Sequence, residues 1–524
     1  MSKYSTWIGL LALAVIAAAV GARPIEDGDL FWTLSLGRWI VENGSVWPEV
    51  DPFTYNAQDA PVLHEWLAQA GLFTYTRGLS SVFGESAGLL GLRALGAVLC
   101  GSATIGVYTL LRRVDPLWAL PGAAVWWLMA APHGVVRPHL LAWLPALVVA
   151  HLWLGRRPRL VLLAVVCALW ANLHASVLLA PAWALAALLT GLTQRWLHPE
   201  SEDQTRLWGG RLLVSGAATL AQPAGWHLWP YALNTPAVNR ELSNEWWPLW
   251  RADVWTARPA LFASWLGVVA LCVLMMVVVI RRRRLQRLFP GPWLAFAATI
   301  HAGSTRRMTA YLYLAIAGVL AELSETNSSR ARRIAAILVS AVIVVLTVPE
   351  TAGWSAPGAT RAGVFPHQAS AVVGAMELKG RPVHPDGWGG FLTWQHNGRF
   401  AVYADGRWPL VGRQVIADGV TMMTRRDPAL FKRYQVDWML QPTSLMLRTR
   451  PPDPSKWALA WRDRTAVLLF RRGPAWEANV AQACAFYRDR PALVAQAKWH
   501  VRVRAPKGVA TPTDVPSVLT FCSP

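Results

Sequence analysis

Three carboxylates fall within four residues at Glu26-Asp27-Gly28-Asp29, directly after an apolar run from Tyr4 to Val20. Acidic side chains beside such a run lose solvation, and they stay ionised only with a metal, a cation or hydrogen-bond donors. Asp27 and Asp29 are therefore candidates to take a proton from a hydroxyl or to ligate a metal, with solvated loop residues as the plain alternative. Farther along the same segment, His64-Glu65 adds a carboxylate and an imidazole. Far downstream, Arg306-Arg307 offers two planar donor forks whose geometry matches phosphate oxygens.

Positioning these groups falls to a predominantly apolar chain. Its 524 residues are 54% hydrophobic and only 15% charged, which reads as a polytopic α-helical membrane protein with a soluble remainder. Apolar runs predict about eleven spans, at 4–22, 87–111, 116–132, 139–154, 160–173, 176–193, 210–222, 260–280, 288–301, 308–322 and 334–349. With a cytoplasmic N-terminus, the basic loops at Arg112-Arg113, Arg156 to Arg159, Gln194 to Arg206, Arg281 to Arg287 and Arg330 to Arg333 fall inside. The net charge of +20 is thus a matter of topology, and nucleic acid is not an expected partner. Segments 23–86, 133–138, 222–259 and 302–307 fall outside, together with everything after Pro349. The first of these carries nine acidic against three basic residues. Arg306-Arg307 breaks the inside-positive pattern. The 31 tryptophans suit membrane interfaces.

Three domains are expected: 1–349 in the membrane, with outer loops 23–86 and 222–259; 350–472 as an external α/β domain; and a basic tail, 473–524, that orders only in part. Residues 30–41 have the spacing of an interfacial amphipathic helix with Trp32, Leu36 and Ile40 on one face. Candidate strands in the external domain are Phe400–Tyr403, Val436–Leu440, Ala458–Trp461 and Ala466–Phe470. Gly387-Trp388-Gly389-Gly390 marks a turn or a close backbone approach, since no nucleotide-loop spacing accompanies it. Cys484 and Cys522 could pair in an oxidising compartment or remain free thiols.

Further along the chain, Arg137 and His301 are candidate helpers at a phosphate. Asn172, His174, Glu245 and Trp246 are candidates to line an acceptor cavity with His64. Each has an ordinary alternative. Pro138 starts a helix, Asn172 and His174 can cap one, Trp246 can anchor at an interface, and a histidine at a span end is commonly just hydrogen-bonded, which applies also to His133. Oxygen ligands from Asp27, Asp29 and Glu65 would suit Mg²⁺ or Mn²⁺, and His64 would admit Zn²⁺. Asp405-Gly406-Arg407 reads as a tight turn with an acid–base pair.

The ordered set of motifs resembles a family. The acidic cluster with Leu30-Phe31-Trp32 is followed by Gly37-Arg38-Trp39-Ile40, Asp51-Pro52-Phe53-Thr54-Tyr55 and His64-Glu65-Trp66-Leu67. Then come Arg137-Pro138-His139-Leu140, Trp170-Ala171-Asn172-Leu173-His174, Gln222-Pro223-Ala224-Gly225-Trp226, Asn244-Glu245-Trp246 and Arg306-Arg307, and finally Trp388-Gly389-Gly390-Phe391-Leu392 and Asp405-Gly406-Arg407. Across residues 1 to about 472 the chain resembles bacterial membrane proteins related to the GT-C glycosyltransferases.

That resemblance implies a multi-pass protein of the bacterial inner membrane, with its C-terminal domain outside. It implies inverting transfer of a sugar from a polyprenyl-phosphate carrier to a lipid, glycan or protein acceptor. In that role Asp27 or Asp29, with Glu65, would serve as base or metal ligand. Arg306, Arg307, Arg137 and His301 would neutralise the departing phosphate. Two other classes compete: a non-catalytic scaffold for envelope assembly that retains the fold, and a lipid or glycan transporter, which would need more polar residues along its spans.

Overall fold

The chain passes between two folded units three times. Met1–Ile25 and Val62–Ala359 form the first unit, and Glu26–Pro61 joins Thr360–Pro524 in the second. The expected division lies instead at residue 349, with loop 23–86 wholly in the N-terminal part. The computed structural model describes residues 3–155, 157, 159–197, 199, 203–257, 262–263, 265–270, 273, 299–301, 303–317, 358–449, 452–497 and 515–522.

The first unit is helical. Its elements include α1 (Lys3–Gly21), α3 (Trp66–Phe83), α4 (Glu85–Val114), α5 (Ala119–Ala130), α6 (Pro138–Trp153), α7 (Leu160–Leu173), α8 (Leu179–Leu197), α9 (Thr205–Ala218), α10 (Leu228–Leu242) and α11 (Ala252–Ala257). Helix α4 is the hub, packing against α1, α3, α5 and α6. At the α1–α4 crossing two glycines allow backbone contact, since a Cβ on Gly21 would lie 2.2 Å from the Gly96 carbonyl oxygen. Tryptophans fill the core: Trp126, Trp127, Trp153, Trp170 and Trp208 are almost wholly enclosed. Interface anchoring does not account for these five.

The expectation of about eleven spans is not met. Among the described residues only Glu85–Val114 and Ala175–Thr193 are long and apolar enough to cross a membrane, while Thr6–Gly21, Pro138–Trp153 and Leu160–Leu173 are apolar but shorter. At about 1.5 Å per residue, a 16-residue helix reaches roughly 24 Å, short of a hydrocarbon core of about 30 Å. Hydropathy registers apolar composition, which buried helices of a packed core share. The runs at 288–301 and 334–349, most of 260–280, and the basic clusters at 281–287 and 330–333 lie almost entirely outside the described residues.

The second unit begins with α2 (Gly28–Asn43), capped by the Asp27 carboxylate, which accepts the Asp29 N–H at 2.9 Å. The helix ends at Gly44 in the left-handed region, with φ of 62°. The sequence predicts an interfacial helix here. The apolar face of α2 instead packs on α13 (Asp386–Gln395), which follows α12 (His367–Met376). Phe31 meets Phe365 and Phe391 edge-on at 5.1 and 5.3 Å. The Gly-Trp-Gly-Gly motif lies inside α13 and permits close approach: a Cβ on Gly390 would fall 2.7 Å from the Gly28 oxygen, and one on Gly389 1.9 Å from the Ala404 oxygen.

A four-stranded sheet completes the unit, with β1 (Arg381–Val383), β2 (Val436–Pro442), β3 (Trp457–Arg462) and β4 (Ala466–Arg471) in the order β1-β2-β4-β3. The β1–β2 pair is parallel and the other two are antiparallel. Three of the four candidate strands are present. Phe400–Tyr403 is not one: Val402 makes an isolated bridge to Thr54, and the Tyr403 N–H donates to His384 Nε2 at 3.1 Å. Beyond the sheet, α15 (Trp476–Arg488), which follows α14 (Arg413–Arg425), orders part of the supposed tail. Cys484 in α15 is disulfide-bonded to Cys522.

Candidate functional site

Glu65 precedes α3 as its N-cap residue and is 7% exposed. His64 Nε2 lies 3.5 Å from its carboxylate and His174 Nε2 3.3 Å from it. The tautomer of His174 follows from its other nitrogen. Nδ1 accepts the Ser176 N–H at 2.9 Å, so a neutral ring carries its proton on Nε2, facing Glu65. Burial pushes Glu65 up, but His64, through charge and a hydrogen bond, together with His174 and Arg307, outweighs it and holds the carboxyl at about 2. Burial lowers His174 to about 4. Near neutrality the centre is an ionised carboxylate beside a neutral imidazole.

Around this pair lies a second set of charges in the same unit. Arg137 Nη1 is 3.3 Å from Glu245 Oε2. Arg137, and then Arg307 and His133, hold Glu245 well below the usual carboxylate range against the opposing effect of burial. Arg306 is buried, starts the 3₁₀ turn Arg306–Tyr311, and donates to the Asn244 carbonyl at 3.4 Å. Arg307 lies over the Trp246 ring at 5.4 Å, and its charge also acts on Glu65, Arg137, His133 and His174. The turn is fixed by the Thr309 hydroxyl donating to the Met129 carbonyl at 2.7 Å and by the Tyr311 hydroxyl donating to Ser176 Oγ at 2.7 Å.

The structure thus brings together Glu65, His64, His174, Arg137, Glu245, Arg306, Arg307 and Trp246. Asn172 is held by three protein partners. Its Oδ1 accepts Trp66 Nε1–H at 2.6 Å and its amide donates to the Ala168 and Ala221 carbonyls, so it ties α3 to α7. His301 is exposed, and among the described residues no hydrogen bond or ion pair links its side chain to the cluster. Trp246 is buried, with Arg307 on the face where a sugar ring would stack. Sequence reasoning sets His133 aside as an interface residue and reads His139 only as part of a helix start. Both are buried beside the arginines. The enclosing partners Ser176 and Tyr311 carry no sequence signal, being far apart along the chain.

In the second unit Asp27 serves as the cap of α2, and Asp29 stands in its first turn. A Cβ on Gly406, where φ is 87°, would come 2.6 Å from Asp29 Oδ1. Here the most buried ionic group is one the sequence marks only as a turn. Arg407 donates to Asp51 through Nη1 at 2.6 Å and Nη2 at 3.0 Å, and to Asp405 through Nε at 3.0 Å and Nη2 at 2.6 Å. Asp51 also accepts the backbone N–H groups of Phe53 and Thr54.

Among the described residues, no three His, Cys, Asp or Glu side chains are arranged to hold a metal ion. Asp27 and Asp29 belong to one unit and His64 to the other. The ring nitrogens of His64 and His174 beside Glu65 already have protein partners, and the charge of Arg307 acts on the same carboxylate, so no cation-binding set is formed there among the described residues.

No protein-family model and no curated protein sequence matches the chain. Solved structures do. The apo crystal structure of the Archaeoglobus fulgidus oligosaccharyltransferase matches over 85% of this chain and 70% of its own, with a TM-score of 0.53 at 12% identity. The chain shares that fold. The same archaeal protein, tethered by a disulfide to an acceptor peptide containing the NVT sequon, matches over the same shares with a TM-score of 0.52 and 12% identity. At this identity the likeness concerns the fold alone.

Proposed function

We propose that the protein is a membrane-associated glycosyltransferase that moves a sugar from a polyprenyl-phosphate carrier to an acceptor, with a protein acceptor favoured over a glycan or lipid. The observation that carries this reading is the charge set in the first unit: a buried, ionised Glu65 on which Arg307 acts, with Arg307 acting also on the Arg137–Glu245 pair. It stands on a fold shared with an oligosaccharyltransferase, whose acceptor is a peptide. The two long apolar helices support a place at the membrane, and the Cys484–Cys522 bond supports an oxidising compartment for the second unit.

The reaction divides among the chain's own groups. The bond from the anomeric carbon to the phosphate oxygen breaks, and its electron pair stays with the phosphate, whose charge Arg307 and Arg306 offset with Arg137. A lone pair of the acceptor oxygen or nitrogen forms the new bond, and the acceptor's proton passes to Glu65. A carboxylate held near 2 is a weak base. It suffices where carbon–oxygen cleavage runs ahead of proton transfer, and its negative charge stabilises the oxocarbenium-like carbon.

Purified protein supplied with radiolabelled polyprenyl-phosphate sugars tests this. Glu65→Gln is expected to lower kcat about hundredfold, and Arg307→Ala to lower kcat/KM by a similar factor, with the unfolding midpoint little changed in each. Full activity in both variants would remove the assignment. Asp29→Asn in the same assay asks whether the second unit contributes a carboxylate. Unchanged turnover there would favour a structural role for the acidic cluster, in line with the cap made by Asp27.

A further inference from the structure

His133 and His139 are 3% and 5% exposed, and each keeps one ring nitrogen without a partner among the described residues. His139 Nε2 lies 2.9 Å from the His133 carbonyl oxygen. A carbonyl only accepts, so that nitrogen bears the proton, and the bare lone pair of the neutral ring is on Nδ1. The Arg306 N–H is given to the Trp247 carbonyl, so the other ring nitrogen of His133 donates to the Arg306 carbonyl and the bare lone pair is on the unpartnered Nε2. Its ring is neutral because burial lowers it to about 4. Two buried acceptors therefore stand in the cluster that contains Arg137, Arg307 and Glu245.

Leaving a buried acceptor unsatisfied is costly, so an atom with a hydrogen to donate belongs there. A metal or an ammonium would fit the lone pairs but would be repelled by Arg137 and Arg307. An anion would suit the guanidiniums but has no hydrogen for the rings. Both demands are met by one ligand whose neutral hydroxyls sit close to a phosphate.

On the basis of the function proposed above, we infer that His133 Nε2 and His139 Nδ1 accept hydroxyl hydrogens from the sugar of a glycosyl phosphate whose phosphate faces Arg137 and Arg307. The two histidines thereby select the glycosylated carrier over the bare one. No bond is made or broken by them.

The test is equilibrium binding in detergent of undecaprenyl phosphate and of a panel of undecaprenyl-phosphate-linked hexoses and pentoses. Wild-type protein is expected to bind at least one glycosylated carrier about tenfold more tightly than the bare carrier, a margin within reach of two hydrogen bonds. His139→Leu and His133→Leu should each remove most of that margin without weakening undecaprenyl phosphate. His139→Gln and His133→Asn, which keep an acceptor oxygen, should restore part of it and serve if the leucine variants fold poorly. The inference is overturned if no sugar improves on the bare carrier, if all variants keep the margin, or if both ligands weaken together. Failure of wild type to bind either carrier would overturn the glycosyltransferase reading as well, which separates the two.

Discussion

Two buried charge clusters in this protein look alike by composition and differ in closure. In the second unit, Arg407 is enclosed by Asp51 and Asp405, with both carboxylates wholly buried and both end nitrogens and Nε of the guanidinium engaged. In the first, Glu65 and Glu245 have partners, while His133 and His139 each retain an unused acceptor among the described residues. A closed set can hold the chain together and has nothing left for a ligand. An open one is destabilised by its own unsatisfied groups until something fills it.

The contrast is sharpest where a single arginine is removed. Arg407→Ala would leave two buried carboxylates facing each other, at a cost of about 3–5 kcal/mol in denaturant unfolding. Arg307→Ala, whose guanidinium lies over the Trp246 ring, should shift the midpoint by less than about 1 kcal/mol. Equal losses would erase the distinction between the clusters.

Acid probes both units with a smaller effect. Burial lowers His384 in the second unit, and His133 and His174 in the first, to about 4 from an unfolded value of 6.5. Between those values the unfolded chain binds more protons than the folded one, so stability is full above 6.5, falls as the pH drops towards 4, and levels off below it. For fully buried His384 the loss approaches about 3 kcal/mol. His384→Gln should flatten that part of the stability profile recorded by circular dichroism, and an unchanged profile would show the ring to be solvated.

Backbone contact gives the smallest predicted effect. Gly389→Ala would drive a methyl against the Ala404 carbonyl, costing about 1–3 kcal/mol. At Gly387, in the same helix, a methyl would meet nothing within 4 Å among the described residues. Its alanine variant should be neutral in the same melting experiment, and a loss there would point to helix geometry rather than to contact.

Much of the second unit was legible from short-range pattern. Val436–Pro442, Trp457–Arg462 and Ala466–Arg471 are the alternating and apolar runs that sequence reading marks as strands. The three-residue β1 was too short to register. In the first unit hydropathy misled, because apolar helices that bury one another, such as α5 and α6, have the composition of spans without the length. Of the candidate site, residue types such as Glu65 and Arg307 stood out on their chemistry. Pairings such as Arg137 with Glu245, 108 residues apart, depend on tertiary packing and leave no trace in one sequence. The orphan nitrogen of His139 is invisible until its neighbour's carbonyl is located.

The placement of residues 26–61 in the second unit has a consequence for biosynthesis. That stretch emerges early from the ribosome, yet α13, on which α2 packs, is translated more than three hundred residues later. Until then the apolar side of α2 waits without its native cover, exposed to chaperones, lipid or wrong neighbours. Cutting the gene near residue 360 would give two fragments, neither able to finish the second unit alone. Co-expressing them is the route by which it could be reassembled.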